Sequence, residues 1–253
     1  MWAFPPRQLL LEKGGLHIWR ASLSLPATVR ERLEGVLSAS EQQRCRRFTR
    51  PEDRARCAAA RAALRIVLSK YLTPDPRGLS ITAGPSGKPS LKGSTGADGI
   101  QFNMSHAGNL ALIAVSRGMR VGIDIERIRE VRNMESILRD FFSEQEQDYL
   151  RSRRGKERIR AFFLLWTRRE AAAKAAGIGL FDSFVRFTLS PRDRASSGFG
   201  VALPQPGARA GRTESWWIRD LTPAPRHAGA VCVEGQNIEP TFWRLHDWWG
   251  VET

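Results

Sequence analysis

The segment Gly122-Ile-Asp-Ile-Glu126 sets two carboxylates two residues apart. In an extended strand alternate residues share a face, so Val121, Ile123 and Ile125 fall on one side and Gly122, Asp124 and Glu126 on the other. Paired acids repel unless a cation or solvent intervenes, and two or three carboxylate oxygens with retained waters are what Mg²⁺ usually accepts. An edge strand with its polar face in water gives the same pattern. Further along, Phe162-Phe-Leu-Leu-Trp-Thr-Arg-Arg-Glu-Ala-Ala-Ala-Lys174 spaces Trp166, Glu170 and Lys174 at i, i+4 and i+8, on one side of a helix. With Trp166 toward the core, Glu170 and Lys174 lie at the edge of a buried face. A third carboxylate can there join Asp124 and Glu126, and an amine can reach a phosphate. Taken alone, the helix carries an ordinary Glu-to-Lys pair, worth about 0.3 kcal/mol.

Three other segments offer groups suited to phosphate. Gly84-Pro-Ser-Gly-Lys-Pro-Ser-Leu91 is a turn presenting backbone N–H groups and Lys88, without the frame of a Walker A loop. Asn103-Met-Ser-His106 gathers an amide, a hydroxyl and an imidazole at the end of a strand, although a lone histidine is more often structural. Arg44, Arg46 and Arg47, just before Phe48, could grip an outer phosphate by forked hydrogen bonds or coat a solvated helix face.

These groups must be positioned by a mixed set of elements. Leu16 to Leu23 reads as a strand, and helices are expected after Pro26, from Ser38 and from Pro51 to Tyr71, where Pro74 and Pro76 stop the last. Short strands follow near Leu79 to Thr82, Ile100 to Met104, Leu110 to Ser116 and Val121 to Glu126, with a loop from Gly84 to Gly99. Helices are expected at Phe141 to Leu150 and Lys156 to Ala176, with Gly177 as the stop. Strands then recur at Val185 to Leu189, Gly200 to Leu203, Ser215 to Leu221 and Ala228 to Val233. A mobile loop is expected around Arg192 to Arg212, and the tail Trp243 to Trp249 carries three of the eight tryptophans. Ala111-Leu-Ile-Ala-Val115 is echoed by Gly229-Ala-Val-Cys-Val233, which suggests an α+β pseudo-duplication joined near Arg117 to Arg120.

The bulk composition is globular, at 42% hydrophobic and 26% charged over 253 residues. No apolar run is long enough to span a bilayer and no secretory signal is recognisable, so a cytoplasmic location is expected. Cys45, Cys57 and Cys232 are odd in number and scattered, and are expected to be reduced thiols. The four histidines lack metal-binding spacing, leaving carboxylates as ligands for a hard metal. The formal charge of +14 points to a polyanionic partner: nucleic acid, an acidic protein or a phosphorylated cofactor. Only six of the 40 basic residues are lysine, a ratio that genomic base composition can also produce.

In order, these segments resemble the signatures of the 4'-phosphopantetheinyl transferases. Gly122 to Glu126 is similar to their G-[IV]-D-[IVL]-E strand, and Trp166 to Lys174 to their W-[ST]-x-[KR]-E-[AS]-x-x-K helix, with Arg169 where many members have lysine. Gly177-Ile-Gly-Leu180 resembles the glycine-rich exit from that helix. Gly84 to Leu91 resembles G-x-x-G-K-P-x-[LI], Phe102 to Gly108 resembles F-N-x-S-H-[ST]-G, and Ser38 to Phe48 resembles S-x-x-E-x-x-[RK]-x-x-[RK]-F. The resemblance covers roughly residues 38 to 190. A further basic position that some members place near Glu41 is absent.

The resemblance implies the larger class with two pseudo-symmetric α/β lobes, each a long helix on a small, mainly antiparallel sheet. Residues 1–119 would carry the coenzyme A phosphate-binding elements and 120–253 the metal-binding carboxylates. It implies Mg²⁺, or Mn²⁺, on Asp124, Glu126 and Glu170. Coenzyme A would be the co-substrate, held by Arg44, Arg56, Gly87, Lys88, Pro89, Asn103, Ser105, His106, Asp124, Glu170 and Lys174. Glu170, Lys174 and Asp124 would be catalytic, with Glu170 accepting the proton of a carrier-protein serine, a role that Asp124 or a metal-bound water could also fill. A monomer is expected, with no nucleic-acid or membrane partner.

Two other classes compete. A nucleic-acid-binding protein explains the charge, but no helix-turn-helix, RNP or zinc-finger signature is present. A metal-dependent phosphohydrolase or nuclease explains the carboxylates and lysine, but not Asn103 to His106 or the Gly-Lys-Pro loop. The implied protein substrate, an acidic acyl or peptidyl carrier, gives the arginine excess a role in steering. Attraction between exposed charges is screened over about 8 Å at physiological ionic strength. Rising salt is therefore expected to lower kcat/KM for the carrier through slower association, with saturated kcat changing much less. Stopped-flow association across a salt series checks this, and a flat dependence would remove steering.

Overall fold

Two alanine-rich segments set the layers of the molecule, because small side chains let a helix lie close on a sheet. The structure, a computed structural model, describes residues 2–72, 75–83, 88–91, 99–178, 189, 198–204, 213–235 and 237–245. In chain order the elements begin with β1 (Leu16–Ser22), α1 (Ala27–Glu34), α2 (Ala39–Arg46), α3 (Pro51–Ser69), β2 (Ile81–Ala83) and β3 (Pro89–Leu91). Next come β4 (Ile100–Ala107), β5 (Leu110–Arg117), β6 (Val121–Arg127), α4 (Met134–Phe141), α5 (Glu144–Arg151) and α6 (Gly155–Ala176). The last are β7 (Phe199–Pro204), β8 (Thr213–Leu221), β9 (His227–Glu234) and β10 (Thr241–Leu245).

The first sheet runs β10-β1-β5-β4 and the second β6-β9-β8-β7. On the first, Trp19, Ala21, Ile113 and Val115 share a core with Ala59, Ala63 and Val67 of α3. The opposite face, Leu16, Ile18, Leu112 and Ala114, shares a second core with Val121, Ile123, Ile125, Val231 and Val233 of the other sheet. Beyond it, Trp216, Ile218, Ala230 and Cys232 pack with Ala171, Ala172 and Ala175 of α6. The order is helix, sheet, sheet, helix, which is the expected α+β architecture. The echoed sequences occupy matching places, since β5 and β9 are both interior strands of their sheets.

The departures have local causes. Cys45 and Cys57, expected as free thiols, are disulfide-bonded, with Cα atoms 5.5 Å apart. The short connection between α2 and α3 folds one helix back on the other and brings the two residues face to face, which no sequence spacing announced. Only Cys232 is free among the described residues, and it is buried. The helix expected at Phe141 to Leu150 begins only at Glu144, where Ser143 and Glu146 form a reciprocal capping box, and Phe141 instead ends a separate helix, α4, that was not expected. Pro89 to Leu91, expected within a loop, pairs as a strand with β2. The tryptophan-bearing tail begins as β10, parallel to β1, so the sheets do not divide at residue 120. The expected strand at Val185 to Leu189 lies outside the described residues except for Leu189, which is buried. The expected loop Arg192 to Arg212 lies outside them except for residues 198–204.

The alternation along Gly122 to Glu126 has its expected consequence. Val121, Ile123 and Ile125 enter the core between the sheets, and Gly122 faces α6. A Cβ at 122 would lie 2.1 Å from the Ala171 carbonyl oxygen and 2.3 Å from the Ala175 nitrogen, both backbone atoms of α6. Glycine is therefore required for helix and strand to touch. Gly122→Ala is expected to lower stability by about 1–3 kcal/mol as the helix is forced off the strand. Gly78→Ala, where nothing lies within 4 Å of the added atom, should stay within about 0.5 kcal/mol. Paired thermal melts check both.

Candidate active site

Asp124 and Lys174 meet across the β6–α6 contact. The Lys174 Nζ donates to Asp124 Oδ1 at 2.6 Å, and Ser105 Oγ on β4 donates to the same oxygen at 2.8 Å. Lys174 also lies 3.3 Å from Ser105 Oγ and 3.8 Å from Glu170 Oε2, the carboxylate one turn earlier on its own helix. Strand β4 is held against β6 by Asn103, whose Oδ1 accepts from the Ile123 N–H at 2.9 Å. The strand, helix and hydroxyl segments singled out in the sequence thus converge on one point between the two sheets.

Asp124 is buried, and its Oδ2 has no hydrogen-bond partner among the described residues. A buried carboxylate oxygen left unpaired is costly, and a cation is the group that would relieve it. The neighbouring acids report the same excess of negative charge. Burial, with Asp124 and Glu126 adding to it against Lys174, pushes the Glu170 carboxyl up to about 7. Burial and Asp124 also raise Glu126 above its ordinary value. Oxygen donors of this kind suit a hard divalent cation. Among the described residues no three His, Cys, Asp or Glu side chains already stand together as a metal-holding group, and the Lys174 ammonium is the charge now balancing Asp124.

The cationic groups gather on the first sheet and α3. His106 sits on β4, its pKa lowered first by partial burial and then by Lys174, Arg61 and Arg56. Arg56 donates to Asn109 Oδ1 at 3.0 Å and to Asp53 Oδ1 at 2.6 Å. The hairpin between β4 and β5 turns at Gly108 and Asn109, with Gly108 at φ 58°, a conformation that glycine adopts without strain. Arg61 was not singled out in the sequence. It lies on α3, 3.9 Å from Glu41, and feels both Arg44 and Arg65. It supplies positive charge where the resemblance left a basic position missing near Glu41. A helical wheel of α3 would have shown Arg54, Arg61 and Arg65 on one flank, but not which helix they face.

Other residues named from sequence have different surroundings. Lys88 is turned inward, donating to the carbonyls of Lys174 at 2.7 Å and Val121 at 2.9 Å, and burial with Arg120 lowers its pKa to about 8. It ties β3 to the last turn of α6, where carbonyls lack helical partners. Asn103 is buried and its amide oxygen committed to β6. Pro89 opens β3, half-buried, and Arg44 is exposed on α2. Gly87 lies outside the described residues. Trp166 is half-buried, stacked on Phe162 with ring centres 5.9 Å apart.

Residues 120–221 match the family described as "4'-phosphopantetheinyl transferase superfamily", and residues 28–118 match "4'-phosphopantetheinyl transferase, N-terminal". The 4'-phosphopantetheinyl transferase HetI of Nostoc sp. is 33% identical over 243 residues, covering 96% of this chain and 97% of the relative. The 4'-phosphopantetheinyl transferase Sfp of Bacillus subtilis is 31% identical over 157 residues, covering 61% and 67%. No helix among the described residues is long and apolar enough to cross a membrane.

The raised Glu170 pKa has a testable consequence. A carboxyl held above its unfolded value of 4.5 binds its proton more tightly when folded. Its stabilisation is complete below the unfolded value and is lost as pH rises through about 7. In chelator, the melting temperature of the wild type should therefore fall more steeply between pH 5 and 8 than that of Glu170→Gln, which cannot ionise. Parallel pH profiles of the two proteins would contradict the assignment.

Proposed function

Because the chain belongs to the 4'-phosphopantetheinyl transferase superfamily, it transfers a phosphopantetheine arm to carrier proteins, and we propose that Asp124, Glu126, Glu170 and Lys174 form its active site. The observation that carries this reading is the convergence of Asp124, Lys174 and Ser105 at hydrogen-bond distance, with one buried Asp124 oxygen unpaired. The arm comes from coenzyme A, and the acceptor is the serine of an acidic acyl or peptidyl carrier.

Asp124, Glu126 and Glu170 would hold Mg²⁺, or Mn²⁺ in its place. When bound, such an ion would supply positive charge against the pyrophosphate as it reacts. The serine hydroxyl attacks the β-phosphorus, the bond to the nucleotide phosphate breaks, and 3',5'-ADP leaves. Glu170 accepts the serine proton, directly or through a water. Lys174, now on Asp124, turns its charge to the departing phosphate. His106, Arg44, Arg56 and Arg61 hold the phosphates of the nucleotide from the first sheet and its helices. Asn103 and Lys88 act by keeping β4, β6 and α6 in register, as their carbonyl and amide bonds support.

Function divides near residue 120, with phosphate-binding groups before it and carboxylates after, although β10 returns to the first sheet. Two lobes in one chain complete a site without a second copy, which supports a monomer, and the cytoplasm is the compartment where carrier proteins and coenzyme A are expected to meet.

Mass spectrometry tests the reading. With Mg²⁺, coenzyme A and a panel of apo carriers, one phosphopantetheine mass should appear on the carrier serine. Asp124→Ala and Glu170→Ala should each lower turnover by several kcal/mol in barrier, on the order of 10²–10³-fold, while remaining folded by circular dichroism. No addition to any carrier would overturn the reading, and wild-type turnover by either variant would remove the carboxylate assignment.

A further inference from the structure

The Cys45–Cys57 disulfide joins two helices at residues directly adjacent to the arginines proposed above to hold phosphate. Cys45 follows Arg44 on α2 and Cys57 follows Arg56 on α3. The charges around it are mixed: Arg44 on α2 repels Arg61 on α3 while Glu41 attracts it, and burial weighs on Arg61 more than either. Against that repulsion α2 has one close charged tie to α3, the buried Glu41–Arg65 pair at 2.7 Å, with Arg61 a more distant partner of Glu41 at 3.9 Å. The disulfide is the covalent addition to those ties. Both cysteines are buried, and Cys45 lines a cleft of about 400 Å³ between α1, α2 and α3, with Leu33, Arg46, Arg54 and Ala58, that gives a small thiol a route toward its side of the bridge. None of the active-site carboxylates lines that cleft.

We propose that Cys45 and Cys57 form a reversible thiol–disulfide site that sets the affinity of the chain for coenzyme A. In the oxidised state the bridge holds Arg44 beside Arg61 and fixes both where a terminal phosphate is received. In the reduced state the Glu41–Arg65 pair still holds the start of α2, but its C-terminal end, which carries Arg44, loses its link to α3, and the ligand must bear the cost of ordering it again. The exchange balances with a small disulfide such as oxidised glutathione. Two protein thiols become one protein disulfide while glutathione disulfide becomes two glutathione thiols, and a dithiol reverses the step. Disulfides that persist only under oxidising conditions act as sensors where thiols are otherwise kept reduced.

The inference rests on the coenzyme A reading above, and the experiment separates the two. The full chain is equilibrated with oxidised glutathione or with dithiothreitol, its thiol state is read by intact mass after alkylation, and coenzyme A affinity is measured by calorimetry. The oxidised protein should bind about 3- to 10-fold more tightly than the reduced, the scale of one immobilised side chain. Cys45→Ser and Cys57→Ser should show the reduced-state affinity in both buffers. The difference should vanish for 3'-dephospho-coenzyme A, which lacks the terminal phosphate, whereas a bridge that merely stabilised the fold would affect both ligands alike. Thiols that stay free in oxidised glutathione, equal affinities in the two states, or an equal change for the dephospho ligand would each overturn the redox inference and leave the transferase reading standing. Absence of coenzyme A binding in either state would overturn both.

Discussion

With no Cβ at position 122, the α6 backbone can lie on β6 at a separation that any side chain would forbid. That separation decides how far Lys174 stands from Asp124, because one is carried by the helix and the other by the strand two residues on. The contact also brings Asp124 close enough to add to the burial that raises the Glu170 pKa. Lys88 reinforces it from the side, bonding to one carbonyl of the strand and one of the helix. A site built from rigid backbone elements is placed more accurately than one built on loops.

The same helix is fixed at its other faces by charge. Arg169 is fully buried and pairs with Glu146, the residue that caps α5, while Arg168 grips both oxygens of Asp220 on β8 at 2.7 and 2.8 Å. Arg65 does the same service between α2 and α3 through Glu41. Buried ion pairs of this kind add little net stability over apolar packing, but breaking one is expensive, so they select one packing of the helices over others. Several arginines that contribute to the charge of +14 are therefore internal ties, and only the remainder can act on a partner at a distance.

The acids were legible because strand alternation and helical spacing are local rules: Asp124 beside Glu126, and Glu170 one turn from Lys174, follow from periods of 2 and 3.6 residues. What those rules cannot supply is the partner element. Arg61 was invisible because its significance depends on α2 lying against α3, and the disulfide was missed for the same reason. Lys88, read as a phosphate group from its turn, also meets carbonyls left bare at the end of α6. Asn103, read as a ligand contact, also joins the two sheets from its place on an edge strand. The strand β10 was hidden by aromatic residues that suit packing in any conformation. In each case a long-range pairing chose among roles that the local sequence left open.

The arrangement of charge gives the site its direction. Burial is the largest influence on Glu126, Glu170 and His106; Asp124 adds to it at the two acids, and Lys174, Arg61 and Arg56 add to it at His106. Lys174 is a cation seated among the acids and still felt by His106. A phosphate chain relieves the cationic half, and a divalent cation relieves the acidic half; a ligand carrying both would relieve the two together. Lys174 then has least reason to remain on Asp124 and most reason to face the phosphate. Under the proposed reading, the site would therefore prefer a metal–pyrophosphate ligand over either component alone.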